Sequence, residues 1–510
     1  MLNKKTILIK AITVSFAIIG ILFYSNCTYD KLQIVGSETT GYPPAIANIM
    51  IPKCATAGCH NTQSKAGASG IDLTTWDNLF KGGNNNSCVI PYRSDQSYLM
   101  YFINTYSDLG PSLVPNMPYN SSPLSHDEVA TIKTWIDNGA PNSSGFVKWS
   151  DNPGRQKIYV VNQGCNLVSV FDKATNLIMR VVNVGDPGNS TNRSPHEIKV
   201  SPDNKYWYTI FAVGGTRIEK YDCNTDKLVA NIPVGNYPYG GSFGSSSISN
   251  DSKTVYAIDW AYYGGLSIID FDADTLINMW YSTSGNFFQP HGSSLNNAGN
   301  ILYVTGIQGN FDFKINISHP KNIPPNSFNY QNALSLDGKI PNTSDNLNPY
   351  TVQFTPDSSK YFVTCSGSNE VRIFNASNDA IIDSIQVGSY PCEMAMSNAM
   401  PYLFVSCMND SITFPHVYGS VYVINYLTNA VVYNIYTGWQ PHGIAVDDAT
   451  LKCYVINRNF SANGPAPHHA TSAGCGRDGY MTIIDMTTRQ LVPGFNTELN
   501  ADPFDIAIRY

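Results

Sequence analysis

Apolar and polar positions in the C-terminal two thirds of the chain repeat as a phrase, Pro-x-x-apolar-x-apolar, that usually leads into a Ser, Asp or Asn turn. It stands as Pro195-His196-Glu197-Ile198-Lys199-Val200 before Ser201-Pro202-Asp203, and again at Pro290-His291. It returns at Pro349-Tyr350-Thr351-Val352-Gln353-Phe354, at Pro391-Cys392-Glu393-Met394, at Pro441-His442-Gly443-Ile444-Ala445-Val446 and at Pro503-Phe504-Asp505-Ile506-Ala507-Ile508, with a degenerate copy near Pro238-Tyr239-Gly240. Successive copies lie 43, 52, 59, 42, 50 and 62 residues apart. Strand-like runs such as Tyr159-Val160-Val161, Val168 to Asp172 and Val421 to Asn425 fill the intervals, and several strands end in Val-Gly, as at Val184-Gly185 and Val387-Gly388. Periods of this size with about four strands each predict a β-propeller. Seven copies predict seven blades over residues 150–510. The strands after residue 156 have no copy before them, so the last strand, within 503–510, is expected to complete the blade begun at Lys157.

A helical period replaces this pattern before residue 145. Ser125 and Glu128 read as a capping box, Val129, Ile132, Trp135 and Ile136 form one apolar stripe, and Gly139 with Pro141 stops the helix. Ile46, Ile49 and Met50 predict a short helix upstream, and Leu73, Trp76, Leu79 and Phe80 another, ending at Gly82-Gly83. At the N-terminus Lys4, Lys5 and Lys10 flank an apolar run from Ala11 to Phe23, the form of a secretory signal. Cys27 follows directly, and Tyr24-Ser25-Asn26-Cys27 resembles a bacterial lipoprotein signal. That resemblance implies removal of residues 1–26, acylation of Cys27 and a linker over 27–41; an uncleaved anchor or plain secretion are the alternatives. Each places the bulk outside the cytoplasm, in the periplasm or at the outer membrane or cell surface, with a lipid anchor as the expected membrane contact. No later stretch approaches the ~20 apolar residues of a membrane span.

Composition narrows the functional classes. Charged residues are 14% of the chain against the ~25% usual in soluble domains, and 32 Tyr help to lift the aromatic share to 12%. That mix suits strands and turns over long surface helices. A net charge of -7 with no Lys/Arg cluster leaves no footprint for nucleic acid, and the aromatic content excludes an unstructured chain.

The strongest chemical signal is Cys54-Ala55-Thr56-Ala57-Gly58-Cys59-His60. It ends in the Cys-His pair of a covalent haem attachment site, where two thiols add to the haem vinyls and the adjacent His reaches the iron. Four residues separate the cysteines instead of two. A zinc half-site and a disulfide hairpin beside an unrelated His compete with this reading. A haem iron takes a second axial ligand, for which Met117 in Pro115-Asn116-Met117-Pro118-Tyr119 is the candidate. Helix, Cys-His motif, Met loop and Trp-bearing helix, over residues 42–145, resemble a class I cytochrome c. The resemblance implies Cys54 and Cys59 as thioether links, His60 and Met117 as axial ligands, and one covalent haem c. Met50 and Met100 are alternative ligands that read better as core, His126 reads as a solvated first-turn residue, and Cys88 has no role in the family pattern.

The repeats resemble the YVTN-type propellers of secreted bacterial proteins. The fold expected is therefore multidomain: a small all-α cytochrome c domain followed by an all-β seven-bladed propeller. In such a wheel His196, His291 and His442 start inner strands on one face. His416, and His468 and His469 with Cys475, fall in second-to-third-strand loops that return to it. Imidazole and thiolate are ligands for Cu, Zn or Fe, while the competing reading makes these histidines rim-packing groups. Two functions follow. In the first, an exported electron-transfer protein uses its propeller as a platform for a redox partner or a ligand. In the second, an oxidoreductase holds a second metal, Cu or Fe, or a second haem on the propeller face.

Overall fold

The computed structural model describes residues 37–84, 86–186, 192–237, 241–261, 263–282, 285–460, 478–494 and 496–510. Six copies of the phrase open a strand at their proline: Pro195–Val200, Pro290–Leu295, Pro349–Phe354, Pro391–Met396, Pro441–Asp447 and Pro503–Arg509. The degenerate copy precedes the seventh, Phe243–Ile248. Proline is tolerated at the first residue of a strand, where no ladder hydrogen bond is lost. Each of these strands is the inner edge of its own antiparallel sheet; six sheets have four strands and the one begun at Pro441 has five. Neighbouring inner strands touch around the whole ring. The protein is a seven-bladed β-propeller. The ring closes where Pro503–Arg509 pairs with Lys157–Asn162, with Ile508 opposite Ile158 and Ala507 opposite Tyr159.

Blades are latched by one repeated device. The turn between third and outer strands places an Asn or Asp at positive φ, at Asn176, Asp226, Asp274, Asp379 and Asn429, a conformation those side chains tolerate best after glycine. Each side chain takes a donor from another blade. Lys157 Nζ reaches Asp226 at 2.6 Å, Lys220 Nζ reaches Asp274 at 2.8 Å, Lys360 Nζ reaches Asn429 at 2.8 Å, and the Tyr454 hydroxyl reaches Asn176 at 3.1 Å. The device accounts for the burial of Lys157 and Lys220 in a chain otherwise poor in charge.

The expected separate all-α cytochrome c domain is not what residues 37–149 form. They hold the helices Ser37–Thr40, Pro44–Lys53, Trp76–Leu79, Tyr98–Ile103 and His126–Asp137, joined by loops and 3-10 turns. Helices of this length bury too little alone and depend on tertiary cover. That cover is the propeller. One apolar core runs unbroken from Tyr42, Ile46 and Trp135 to Tyr159, Val168 and Trp207 in the first two blades. Polar groups complete the dock on the outer strand of the first blade, Leu177–Asn183. The Ile178 backbone N–H donates to Asn86 Oδ1 (2.7 Å), Ser87 Oγ donates to the Ile178 carbonyl (2.7 Å), and Arg93 Nη1 donates to the Val181 carbonyl (2.8 Å). The molecule is thus almost all β, with a short-helix cap on the outer edge of the wheel. Within the cap, His126–Asp137 is capped by Ser125 and Glu128 in both directions and buries Val129, Ile132, Trp135 and Ile136. Among the described residues no helix is long and apolar enough to cross a membrane.

Candidate functional site

The cap encloses a cavity of about 610 Å³ whose lining includes Cys54, Cys59, His60 and Met117. The helix Pro44–Lys53 ends at Cys54, and the chain turns back so that the His60 N–H donates to the Cys54 carbonyl at 3.1 Å. That closed loop brings Cys54, Cys59 and His60 together into the cavity lining. The Leu73 N–H fixes the far side of His60 by donating to its carbonyl at 2.8 Å. The Met117 N–H donates to the Phe102 carbonyl at 2.8 Å, which pins the Pro-flanked loop to the helix Tyr98–Ile103. Leu73, Leu99, Phe102 and Ile103 supply apolar wall. Met50 and Met100 are buried in the core and are absent from that lining, so Met117 is the thioether that faces the space.

Burial, then the neighbouring Cys59, pushes the Cys54 thiol up to about 12; burial does the same to Cys88, which also lines the cavity. Cys54 therefore stands as a protonated thiol at neutral pH. Burial lowers His60 below its ordinary value, opposed only in part by the Ile71 backbone, and leaves Nδ1 enclosed with no hydrogen-bond partner. A neutral imidazole with a free nitrogen is a metal ligand in waiting. His126, by contrast, is exposed and bonded to Asp108 at 2.8 Å.

The propeller tunnel holds a second cluster. Every inner strand shifts register just after its first residue, as between Pro195 and Glu197, Pro290 and Ser293, and Pro441 and Ile444. Such a bulge re-aims side chains. Hydroxyls of the second strands satisfy the freed backbone: the Gly292 N–H donates to Thr305 Oγ1 at 2.8 Å, the Thr351 N–H to Thr364 Oγ1 at 3.1 Å, and the Glu393 N–H to Ser406 Oγ at 3.2 Å. The second and third residues of each phrase consequently face the axis. His196, His291 and His442 meet there with Phe504 and Tyr350, ring centroids lying 6.2 Å apart for His196–His291 and 3.8 Å for His442–Phe504. His442 is fully engaged: its Nδ1 lies 3.0 Å from the Phe504 carbonyl and its Nε2 2.9 Å from the Tyr350 hydroxyl. The carbonyl can only accept, so Nδ1 carries the proton and Nε2 accepts from Tyr350. Burial holds all three imidazoles below their ordinary value, His291 at about 4.

Glu197, Glu393 and Asp505 line the same space, with Lys199 beside them. Burial raises all three carboxyls, Glu393 to about 8. Against its own desolvation, Lys199 is held above its ordinary value by Glu197, Asp505 and Glu393. Sequence reading passed over this acidic layer, although the third position of the phrase is acidic at Glu197, Glu393 and Asp505. His416 lies in its expected loop but is exposed and absent from the tunnel lining. Cys392 is buried at the tunnel wall on Ser406. Among the described residues no three His, Cys, Asp or Glu side chains are grouped to hold a metal ion. Cys27, His468, His469 and Cys475 lie outside the described residues. Cys165 is disulfide-bonded.

No protein-family model and no curated protein matches the sequence. The fold is similar to that of the periplasmic gluconolactonase PpgL of Pseudomonas aeruginosa, at 12% identity and a TM-score of 0.50 over 70% of this chain and 99% of that one. A functionally unknown protein from Desulfotomaculum acetoxidans aligns with 13% identity and a TM-score of 0.49 over 68% of this chain and 99% of that one. Kuenenia stuttgartiensis hydrazine synthase aligns with 14% identity and a TM-score of 0.40 over 62% and 99%. At this identity the likeness to the gluconolactonase is one of fold alone.

Proposed function

We propose that the cap cavity holds one haem c, joined to Cys54 and Cys59 by thioether bonds with His60 and Met117 as axial ligands, and that the chain is an exported electron carrier. The observation that carries this reading is the convergence of two thiols, a neutral imidazole and a thioether on one cavity of about 610 Å³, within the range of cofactor sites. When bound, the group would supply one-electron exchange, with His60 and Met117 as the residues that would hold its iron. The chain's own residues do the rest. His60 is kept neutral and offers a free ring nitrogen. Cys54 keeps its proton, the form that adds to a vinyl group. Leu73, Leu99, Phe102 and Ile103 exclude water and lower the local dielectric, which tunes a potential. The propeller serves as the platform for a redox partner or ligand. The disulfide at Cys165 supports an oxidising compartment outside the cytoplasm, and acylation of Cys27 would tether the chain to a membrane. The rival oxidoreductase, with Cu or Fe on the propeller face, lacks a converging donor set among the described residues.

The test is expression of the full chain beside a working haem-attachment system. One iron per chain, a Soret band that survives acid extraction, and loss of both in the Cys54→Ala/Cys59→Ala variant are expected. Colourless protein from that system, or a haem that extracts freely, would overturn the reading.

A further inference from the structure

The propeller tunnel carries a feature that the haem reading leaves unused and does not depend on. His196 is 6% exposed and His291 4% exposed. Among the described residues neither ring nitrogen of His196 has a hydrogen-bond partner, nor does Nδ1 of His291. Buried polar atoms without partners are costly. The cavity beside both rings measures about 40 Å³, room for roughly three atoms of water size. Three carboxyl groups from three blades face the same space. Glu197 is bound by Lys199 Nζ at 3.0 Å and Asp505 takes the Ile198 N–H at 3.0 Å. The Glu393 carboxyl takes no hydrogen bond from the described residues, whereas its backbone is held by Ser406, whose Oγ accepts from the N–H and donates to the carbonyl, each at 3.2 Å. Aromatic rings close the other side. Phe504 lies 4.2 Å and Trp260 6.3 Å from the His196 ring, and Tyr350 lies 4.5 Å from His291. Gly244 makes room for this stack, since a Cβ there would come within 3.3 Å of His291 and 3.5 Å of Trp260. Arg458 is locked on Asp502 by two hydrogen bonds, at 2.6 and 3.0 Å.

We propose that this cavity binds a small protonated amine, ammonium or methylammonium, which enters at Trp260 and donates its N–H groups to Glu393, Asp505 and one nitrogen of His196. The carboxyl groups of Glu197, Glu393 and Asp505, set around Lys199, disfavour an anion in this space. A hard divalent cation needs six or more converging oxygens, and among the described residues no three donors are grouped for a metal. A protonated amine needs only directed acceptors and aromatic faces, both of which are present. Potassium matches its charge but brings no N–H to the imidazole. The volume sets the upper limit on the ligand at a carbon or two.

The experiment is calorimetric titration of the full, haem-matured chain with ammonium chloride and methylammonium chloride at constant ionic strength, with potassium and calcium chlorides in parallel. Saturable binding of both amines and none of the two metal ions is expected. Binding should tighten as pH rises through the titration of Glu393, and Glu393→Gln should weaken it roughly tenfold or more, as the loss of a charge-assisted hydrogen bond does. Asp505→Asn provides a second variant should Glu393→Gln fail to fold by circular dichroism. Absence of saturable amine binding by the folded parent overturns the proposal. So does binding that ignores both substitutions, or equal binding of potassium or calcium.

Discussion

The cap cavity and the propeller tunnel solve the problem of placing functional groups in opposite ways. The cap is built of short helices joined by loops, tied at single points such as Met117 to Phe102 and His60 to Cys54, and encloses a large, mostly apolar space. The tunnel is built of regular strands, and its side chains are aimed by a bulge that recurs in every blade. Its space is smaller by more than tenfold, about 40 against about 610 Å³, and its lining is mostly imidazole, carboxyl and hydroxyl. A loop-built site selects by shape and by the few atoms that can bond covalently. A strand-built tunnel selects by charge and hydrogen bonds, because its dimensions are fixed by blade number.

The sharpest way to break this division is to remove one histidine from each region. His60→Ala should abolish the low-spin visible spectrum of matured protein entirely, whereas His196→Ala should leave it unchanged; equal effects on absorption would erase the distinction. The next largest effect separates the two regions by burial of charge. In the propeller Lys157 is 2% exposed and bound to Asp226 at 2.6 Å. Asp226→Ala strands that ammonium and should cost about 3–5 kcal/mol in chemical denaturation. In the cap the comparable test is apolar. Ile132 is fully buried in the core that the cap shares with the first blade. Ile132→Ala should cost about 2–5 kcal/mol and still give a single unfolding transition, since cap and blade share that core. Two separated transitions would show a cap that folds by itself.

Much of the wheel could be read from residues. A proline opening a strand, an apolar pair three and five positions later and a polar turn mark the inner edge of a blade, so Pro195, Pro391 and Pro503 each announce one. The cap's dependence on the wheel could not be read. Periodicity shows that the stripe Val129, Ile132, Trp135 and Ile136 must be covered, but not by what. The residues that dock the cap, Asn86, Ser87 and Arg93, are polar and lie in loops with no period. The same limit applies to the sites. The phrase places His196, His291 and His442 at the axis because it fixes a strand position, whereas His416 sits in a loop whose path its length does not determine. The latch residues, from Asn176 to Asn429, look like ordinary turn formers until their partners in other blades are seen.

Acid titration sharpens the contrast through two glutamates. Burial pushes Glu393, in the tunnel, and Glu498, beneath the cap against Tyr98, up to about 8 each. A carboxyl that titrates higher in the folded than in the unfolded chain binds extra protons when folded, so stability falls as pH rises from about 4.5 to about 8. Glu393→Gln and Glu498→Gln should each flatten part of that fall in melting temperature measured between pH 5 and pH 9. In the parent, ammonium should reduce the fall carried by Glu393 and leave that carried by Glu498, because only the tunnel glutamate faces the proposed amine.

The smallest effect belongs to the cap's best-formed helix. Ser125 Oγ accepts from the Glu128 N–H at 3.3 Å, and Glu128 Oε2 accepts from the Ser125 N–H at 2.9 Å. Ser125→Ala removes one half of that exchange and should cost about 1 kcal/mol. How the loss is felt discriminates between two views of the cap. If the helix His126–Asp137 is held mainly by its own ends, hydrogen exchange should quicken along its first turn and then along its length. If it is held by the shared core through Ile132 and Trp135, exchange should quicken only over the first turn, with the amides near Ile136 unchanged. The unbroken core from Trp135 to Trp207 predicts the second outcome, and protection lost uniformly over the helix would count against a cap braced by the wheel.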